Sequence, residues 1–265
     1  MWVTALFAAT ALAYAAAAGL YLTSLIKGNN RATRFARWTL LAAIALQVAF
    51  VAADVSLGSP MGRMHQTLTG LSVGIALAFL LAQLRRENIS VLGAFLVPVA
   101  LFFFLGSGIG RSVEHASNES LLVPIHIVVN VLGLVAFALA FGASIAYVLQ
   151  ERMLRRKNLG GLFERLPALD VLDRFGLRAV LVGFPLLTLG ILSGAFWAFR
   201  LEQAMLGFTA SHAFAFIAWT LFAGVLGLRM AAGWRGRRAA YGTIVGFLCT
   251  SVVLVGYMLR TGLSS

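Results

Sequence analysis

The sequence predicts an all-α polytopic membrane bundle of about eight transmembrane helices, and three observations carry that prediction. Of the 265 residues, 60% are hydrophobic and only 11% are charged, whereas a water-exposed domain needs far more charge to cover its surface. The apolar residues gather into eight runs, each close to the ~20 residues a helix needs to cross a hydrocarbon core. The basic residues sit in short connections between alternate runs, the arrangement that orients helices by the positive-inside rule.

Taken in order, the runs are 2–26, 38–57, 65–84, 89–109, 121–149, 177–199, 205–228 and 240–259. The first lacks the basic leader of a secretory signal and exceeds an ordinary signal core, so it is read as an uncleaved span. The connection 27–37 carries Lys27, Arg31, Arg34 and Arg37, and the next on that side carries Arg85 and Arg86. Segment 150–178 supplies Arg152, Arg155, Arg156, Lys157, Arg165, Arg174 and Arg178, and segment 229–238 supplies Arg229, Arg235, Arg237 and Arg238. These connections hold seventeen of the 21 basic residues, leaving Arg63, Arg111, Arg200 and Arg260 for the other side. The basic side is expected in the cytoplasm and both termini outside. A net charge of +12 in a soluble chain would point to nucleic acid; here it marks topology beside anionic lipid.

Segment 158–176 alternates Leu162, Phe163, Leu166, Leu169, Leu172 and Phe175 with Glu164, Arg165, Asp170, Asp173 and Arg174. That pattern predicts an amphipathic segment at the cytoplasmic interface, broken at Pro167. The spacings Gly190/Gly194 and Gly242/Gly246 predict close helix approach. Cys249 is the single cysteine, which excludes an internal disulfide, a CxxC redox pair or a thiolate metal cluster. No nucleophile elbow, HExxH, Walker A or paired-carboxylate pattern occurs, so no independent catalytic activity is expected. A small-molecule transporter is disfavoured by the scarcity of polar residues at mid-membrane depth and by the lack of an internal repeat.

All four histidines, His65, His115, His126 and His212, fall on the side away from the basic loops. Imidazoles collected at one face of an apolar bundle suit a metal, with haem iron the leading ligand. For any one of them the alternative is an ordinary polar side chain at a tolerated depth. His126 follows Pro124 about one turn into the fifth run, with Asn130 at i+4 on the same face, where its amide could hold a neighbour or a propionate. His212 lies about two turns into the seventh run, with Ser211 beside it and Trp219 deeper. His65 opens the third run, and His115 sits in a polar loop and is expected to be solvated. Asp54, within the second run, needs a partner such as Arg63 or Arg111, or water access at the interface. The outer cations Arg63, Arg111 and Arg200 could pair with propionates or with Glu114, Glu119 and Glu202.

Several stretches resemble the CcsA/CcmC-type cytochrome c assembly superfamily, most closely its short HemX- and YpjD-like members. They are SPMGRMHQTLTGLS, LLVPIHIVVNVLGLVAFALAFGASIAYVLQER, LPALDVLDRFGLRAVLVGFPLLTLGILSGAFWA and AWTLFAGVLGLRMAAGWRGRR. The resemblance implies one cytochrome c assembly-type transmembrane domain over residues 1–265 in a bacterial inner membrane. It implies transient b-type haem held at the outer face, with His126 carried over as an axial ligand and His212 or His65 supplying the second. Asn130, Arg63, Arg111 and Trp197 complete the expected binding residues. Two features of the larger members are unmatched: a tryptophan-rich outer segment, where residues 200–210 read RLEQAMLGFTA, and a late partner histidine, where the chain reads RTGLSS. The expected function is haem handling in c-type cytochrome biogenesis beside a second assembly membrane protein. The alternative is a HemX-like interaction protein that sets the level of a haem-synthesis enzyme, glutamyl-tRNA reductase.

Overall fold

A computed structural model describes residues 2–56, 62–85, 87–108, 122–157, 160–200 and 210–263. The chain runs as α1 (Trp2–Lys27), α2 (Asn30–Ser56), α3 (Arg63–Arg85), a 3₁₀ turn (Glu87–Leu92), α4 (Gly93–Ser107), α5 (Leu122–Arg155), α6 (Leu162–Arg165), α7 (Leu169–Arg200), α8 (Ala210–Ala231) and α9 (Arg237–Leu263). Among the described residues each expected run falls on one helix, except that residues 89–92 of the fourth lie in the 3₁₀ turn ahead of α4. Among the described residues seven spans are long and apolar enough to cross a membrane; α8 runs Ala210–Ala231, and the side chains of its first turn lie outside the described residues. Large apolar side chains such as Leu12, Trp38, Phe102, Val182 and Phe216 are exposed, as helices facing lipid require. This is a multi-pass membrane bundle.

Two helices begin well before their apolar runs: α2 at Asn30 and α7 at Leu169. The helix does not stop where apolarity stops, because long basic side chains carry their charge out to water along an apolar stem. The amphipathic segment is accordingly divided. Leu162–Arg165 makes one turn, Pro167 lies in the break that its missing N–H predicts, and residues from Leu169 onward are already the first turns of α7.

Helices α1–α4 form one packed group. Phe104 receives Phe7 at 4.7 Å and Phe50 at 5.8 Å between ring centroids. Polar side chains stitch this group at depth, since hydrocarbon offers them no alternative partner. Tyr14 donates to Gln47 Oε1 at 2.5 Å, Gln47 Nε2 donates to the Thr69 carbonyl at 3.1 Å, and Tyr21 donates to Gln83 Oε1 at 2.8 Å.

Helices α5, α7, α8 and α9 form the second group. Phe137 stacks on Phe222 at 3.6 Å and Phe141 meets Phe247 at 4.6 Å. The seam between α5 and α7 is antiparallel and built on small residues. A Cβ on Gly133 would lie 3.2 Å from the Leu187 nitrogen, and one on Gly183 would lie 3.1 Å from the Gly133 carbonyl. Such backbone approach is the small-residue packing expected of spans. The two groups meet along α3 and α5, where Gly70 faces Val131 and Gly74 faces Val135.

The basic connections collect at one end. There Asp173 pairs with Arg229 at 2.5 Å, and Glu151 with Arg155 at 2.8 Å and Arg237 at 3.8 Å. Arg165 of α6 reaches across to α1 and donates to the Leu25 carbonyl at 2.9 Å and to the Ile26 carbonyl. A cation on the last carbonyls of a helix satisfies groups that have no intrahelical donor and complements the helix dipole. Gly28 turns the chain there with φ +67°, and a Cβ would collide with the Arg165 guanidinium at 2.5 Å. Only glycine meets both demands.

Candidate functional site

His126 and Asn130 lie on one face of α5, as their i, i+4 spacing predicts. Across the seam, α7 offers Gly190 and Gly194 at the same spacing in the opposite direction. A Cβ on Gly194 would meet His126 Cε1 at 2.8 Å, and a Cβ on Gly190 would collide with the Asn130 amide. The glycine pair expected only to pack helices therefore forms the seat into which the imidazole and the amide settle.

Hydrogen bonding orients that imidazole. The Ser193 hydroxyl donates to the Gly190 carbonyl at 2.9 Å, so its oxygen is left as an acceptor for His126 Nδ1, also at 2.9 Å. This arrangement suits a proton on Nδ1 and a lone pair on Nε2. Asn130 Nδ2 donates to the His126 carbonyl at 2.8 Å and lies 3.2 Å from Nε2 and 3.3 Å from Nδ1. A nitrogen nearly equidistant from both ring nitrogens cannot point along either lone pair, because those directions diverge. The amide covers the ring face and leaves the in-plane lone pair of Nε2 uncommitted. His126 is partly buried, and its neighbours Ile125 and Val128 are exposed on the outer surface. About a turn and a half deeper, Trp219 of α8 donates to Thr188 Oγ1 at 3.0 Å and locks α8 to α7.

His65 is placed very differently. Gly70 opposite Val131 and Gly74 opposite Val135 set α3 parallel to α5, which brings residue 65 level with residue 126. Its side chain nevertheless turns away, into the first group, where it is 1% exposed. Nδ1 donates to the Ser107 carbonyl at 2.8 Å, and Nε2 has no hydrogen-bond partner but lies 3.6 Å from Asp54 Oδ2. Phe50 packs against the ring at 6.1 Å. Asp54 is 7% exposed with His65 as its described neighbour; its expected partners, the Arg63 side chain and Arg111, lie outside the described residues.

Of the expected binding residues, the structure thus brings together His126 and Asn130 and keeps His65 apart. His212 lies in the first turn of α8; counting two turns outward from Trp219 and from Thr188 sets its backbone level with Ala195, next to Gly194. The side chains of His212, Arg63 and Trp197 lie outside the described residues, as do Arg111 and His115 altogether. Sequence reasoning missed Ser193. Its signal was available: a serine beside a Gly-x-x-x-Gly pair whose spacing mirrors His-x-x-x-Asn on the partner helix. Among the described residues no group of three metal-binding side chains occurs, so a metal here would rest on isolated imidazoles rather than on a cluster.

Comparison with known proteins places this geometry in a lineage. The chain is 28% identical over 225 residues to a cytochrome c biogenesis protein CcsA from Prochlorococcus marinus, covering 75% of this chain and 72% of that one. A CcsA from Guillardia theta is 25% identical over 252 residues, covering 86% and 83% of the two chains. A CcsA from Synechococcus elongatus reaches 39% over 103 residues, covering 38% and 32%. No solved structure matches. The cytochrome c assembly protein model matches residues 5–263, and the chain belongs to that family.

Proposed function

We propose that this protein serves c-type cytochrome assembly by holding haem transiently at the end of the bundle opposite its basic connections, with His126 as an iron ligand. The observation that supports this most directly is the committed Ser193 hydroxyl. Its oxygen suits a proton on Nδ1, which would leave the Nε2 lone pair of His126 for iron, the state in which imidazole binds that metal. The donor set fits haem: one oriented neutral imidazole, a seam of small residues, and an apolar exterior suited to a porphyrin. Bound haem supplies an iron centre whose axial positions accept imidazole. The chain's own residues do the rest. Ser193 orients the ring, Gly194 makes room for it, and Asn130 shields one ring face.

His212, level with His126 along the helix axes, is the second ligand we favour over His65, which faces the wrong way. Trp197, Arg63 and Arg111 remain proposed contacts, the cations toward propionates. The basic end is read as cytoplasmic, with both termini outside and the protein in a bacterial inner membrane. A second assembly membrane protein is the proposed partner. A haem-synthesis enzyme would instead use the basic end.

The test is an absorption spectrum of the purified protein. The parent is expected to bind b-type haem in a low-spin form. His126→Ala should lose it or turn it high-spin, with partial recovery on adding imidazole. If His126→Ala and His212→Ala both keep the parental spectrum and stoichiometry, the ligand assignment fails. Orientation is tested separately. Single cysteines in 58–64, 111–119 and 200–204 should react with an impermeant thiol reagent from outside, and those in 28–36, 155–165 and 233–238 should not; equal labelling would overturn it.

A further inference from the structure

At the basic end of the first helical group, α1, α2, α3, the 3₁₀ turn and α6 enclose a cleft of about 480 Å³. Its wall includes Arg34 and Arg37 of α2, Arg165 of α6, Gln83 of α3, Ser90, and Ser24, whose hydroxyl is hydrogen-bonded to Thr33 Oγ1. No carboxylate lines it among the described residues. At the same end of the second group, the arginines Arg155, Arg174, Arg229 and Arg237 each have a carboxylate partner. Arg34 and Arg37 meet no carboxylate and no hydrogen-bond acceptor among the described residues.

Two further groups are turned toward the same space. Gln83 is 4% exposed and spends its carbonyl on Tyr21, which leaves its amide N–H as the donor it offers the cleft. Arg165 binds the α1 carbonyls through Nη1 alone, which leaves Nε and Nη2. Guanidinium pairs with planar forks and hydroxyl donors around them are the chemistry that recognises phosphate. We propose that this cleft binds a phosphate-bearing anion, supplied either by an anionic phospholipid headgroup or by a soluble phosphate ester. Its volume lies in the range of small-ligand sites. The rim favours the lipid source: Ile26, Phe35 and Trp38, each more than 60% exposed, flank the arginines, and an aromatic belt marks the depth at which headgroups sit. The proposal is independent of haem binding at the opposite end.

The test uses the full-length protein in detergent and counts bound lipid by native mass spectrometry. Phosphatidylglycerol is titrated against phosphatidylcholine, and inorganic phosphate and glycerol phosphate are added in a second arm read by thermal unfolding. The parent should retain phosphatidylglycerol about fivefold or more over phosphatidylcholine. R34Q/R37Q should erase that preference, whereas R34K/R37K should keep part of it. R156Q/R238Q, which removes the same charge from the same end outside the cleft, should leave it intact. Stabilisation by inorganic phosphate that depends on Arg34 and Arg37, without a lipid preference, would uphold the phosphate site and assign it to a soluble ester. No preference and no phosphate response in the parent would overturn the proposal. So would an equal loss in R156Q/R238Q, which would reduce the effect to general surface charge. Arg34 is exposed and Arg37 half-buried, so these variants keep the core intact, and an unchanged melting temperature verifies it.

Discussion

His65 and His126 stand at the same height on parallel neighbouring helices, yet the fold uses them in opposite ways. Each places a proton on Nδ1, one toward the Ser107 carbonyl and the other toward the Ser193 hydroxyl. Each therefore has Nε2 left over. For His65 that nitrogen is sealed in the core beside Asp54, with Phe50 against the ring. For His126 it sits at a seam where two glycines have cleared the space and the outer surface is close. An imidazole's chemistry is set less by its own bonds than by whether the third dimension around its free nitrogen is filled.

The largest expected effect separates the two directly. His126→Ala should abolish or transform the haem spectrum, whereas His65→Ala should change the spectrum per folded molecule little. If the second variant matched the first, the comparison would collapse. The next effect runs the other way. His65→Ala strips the Ser107 carbonyl and Asp54 of their partner at a buried position, and unsatisfied buried polar groups cost about 2–3 kcal/mol. Thermal unfolding in detergent should show that loss for His65→Ala and a much smaller one for His126→Ala. Pairing His65→Ala with Asp54→Asn should recover part of it, and full additivity would show that the two do not interact.

A smaller effect probes the seat. Gly194→Ala puts a methyl group against His126 Cε1 and must rotate the ring or part the helices. Haem affinity should fall by about tenfold, equivalent to about 1.4 kcal/mol. An unchanged affinity would mean that the ring leaves this seat when it binds. The smallest is Ser193→Ala. Removing the partner that orients the ring should weaken haem by a few-fold without changing its spin state, since a group bonded to a ligand tunes it rather than replaces it.

Spans, loop charge and the His126/Asn130 face were legible because each depends on pattern along one helix. The inward turn of His65 was not. Around His65, helix α3 carries polar side chains on several faces (Gln66, Thr67, Thr69), so its sequence shows no single stripe that tells core from lipid. The pairing of Asp54 with His65 was hidden for the same reason, because it joins α2 to α3 across a core that only the packed bundle defines. Ser193 was hidden differently: a serine in a span most often bonds its own helix, and this one does so while also serving its neighbour.

The contact between Arg165 and the end of α1 sets an order of events during synthesis. The guanidinium that finishes the first helix lies 140 residues downstream of Leu25. At ~5–20 residues per second, the ribosome needs roughly 7–28 seconds to supply it. Through that interval the α1–α2 hairpin is in the bilayer with its last carbonyls answered only by water and headgroups. Placement of the α1–α2 hairpin is completed only after α5 has been made, so the growing chain keeps that hairpin adjustable until Arg165 arrives.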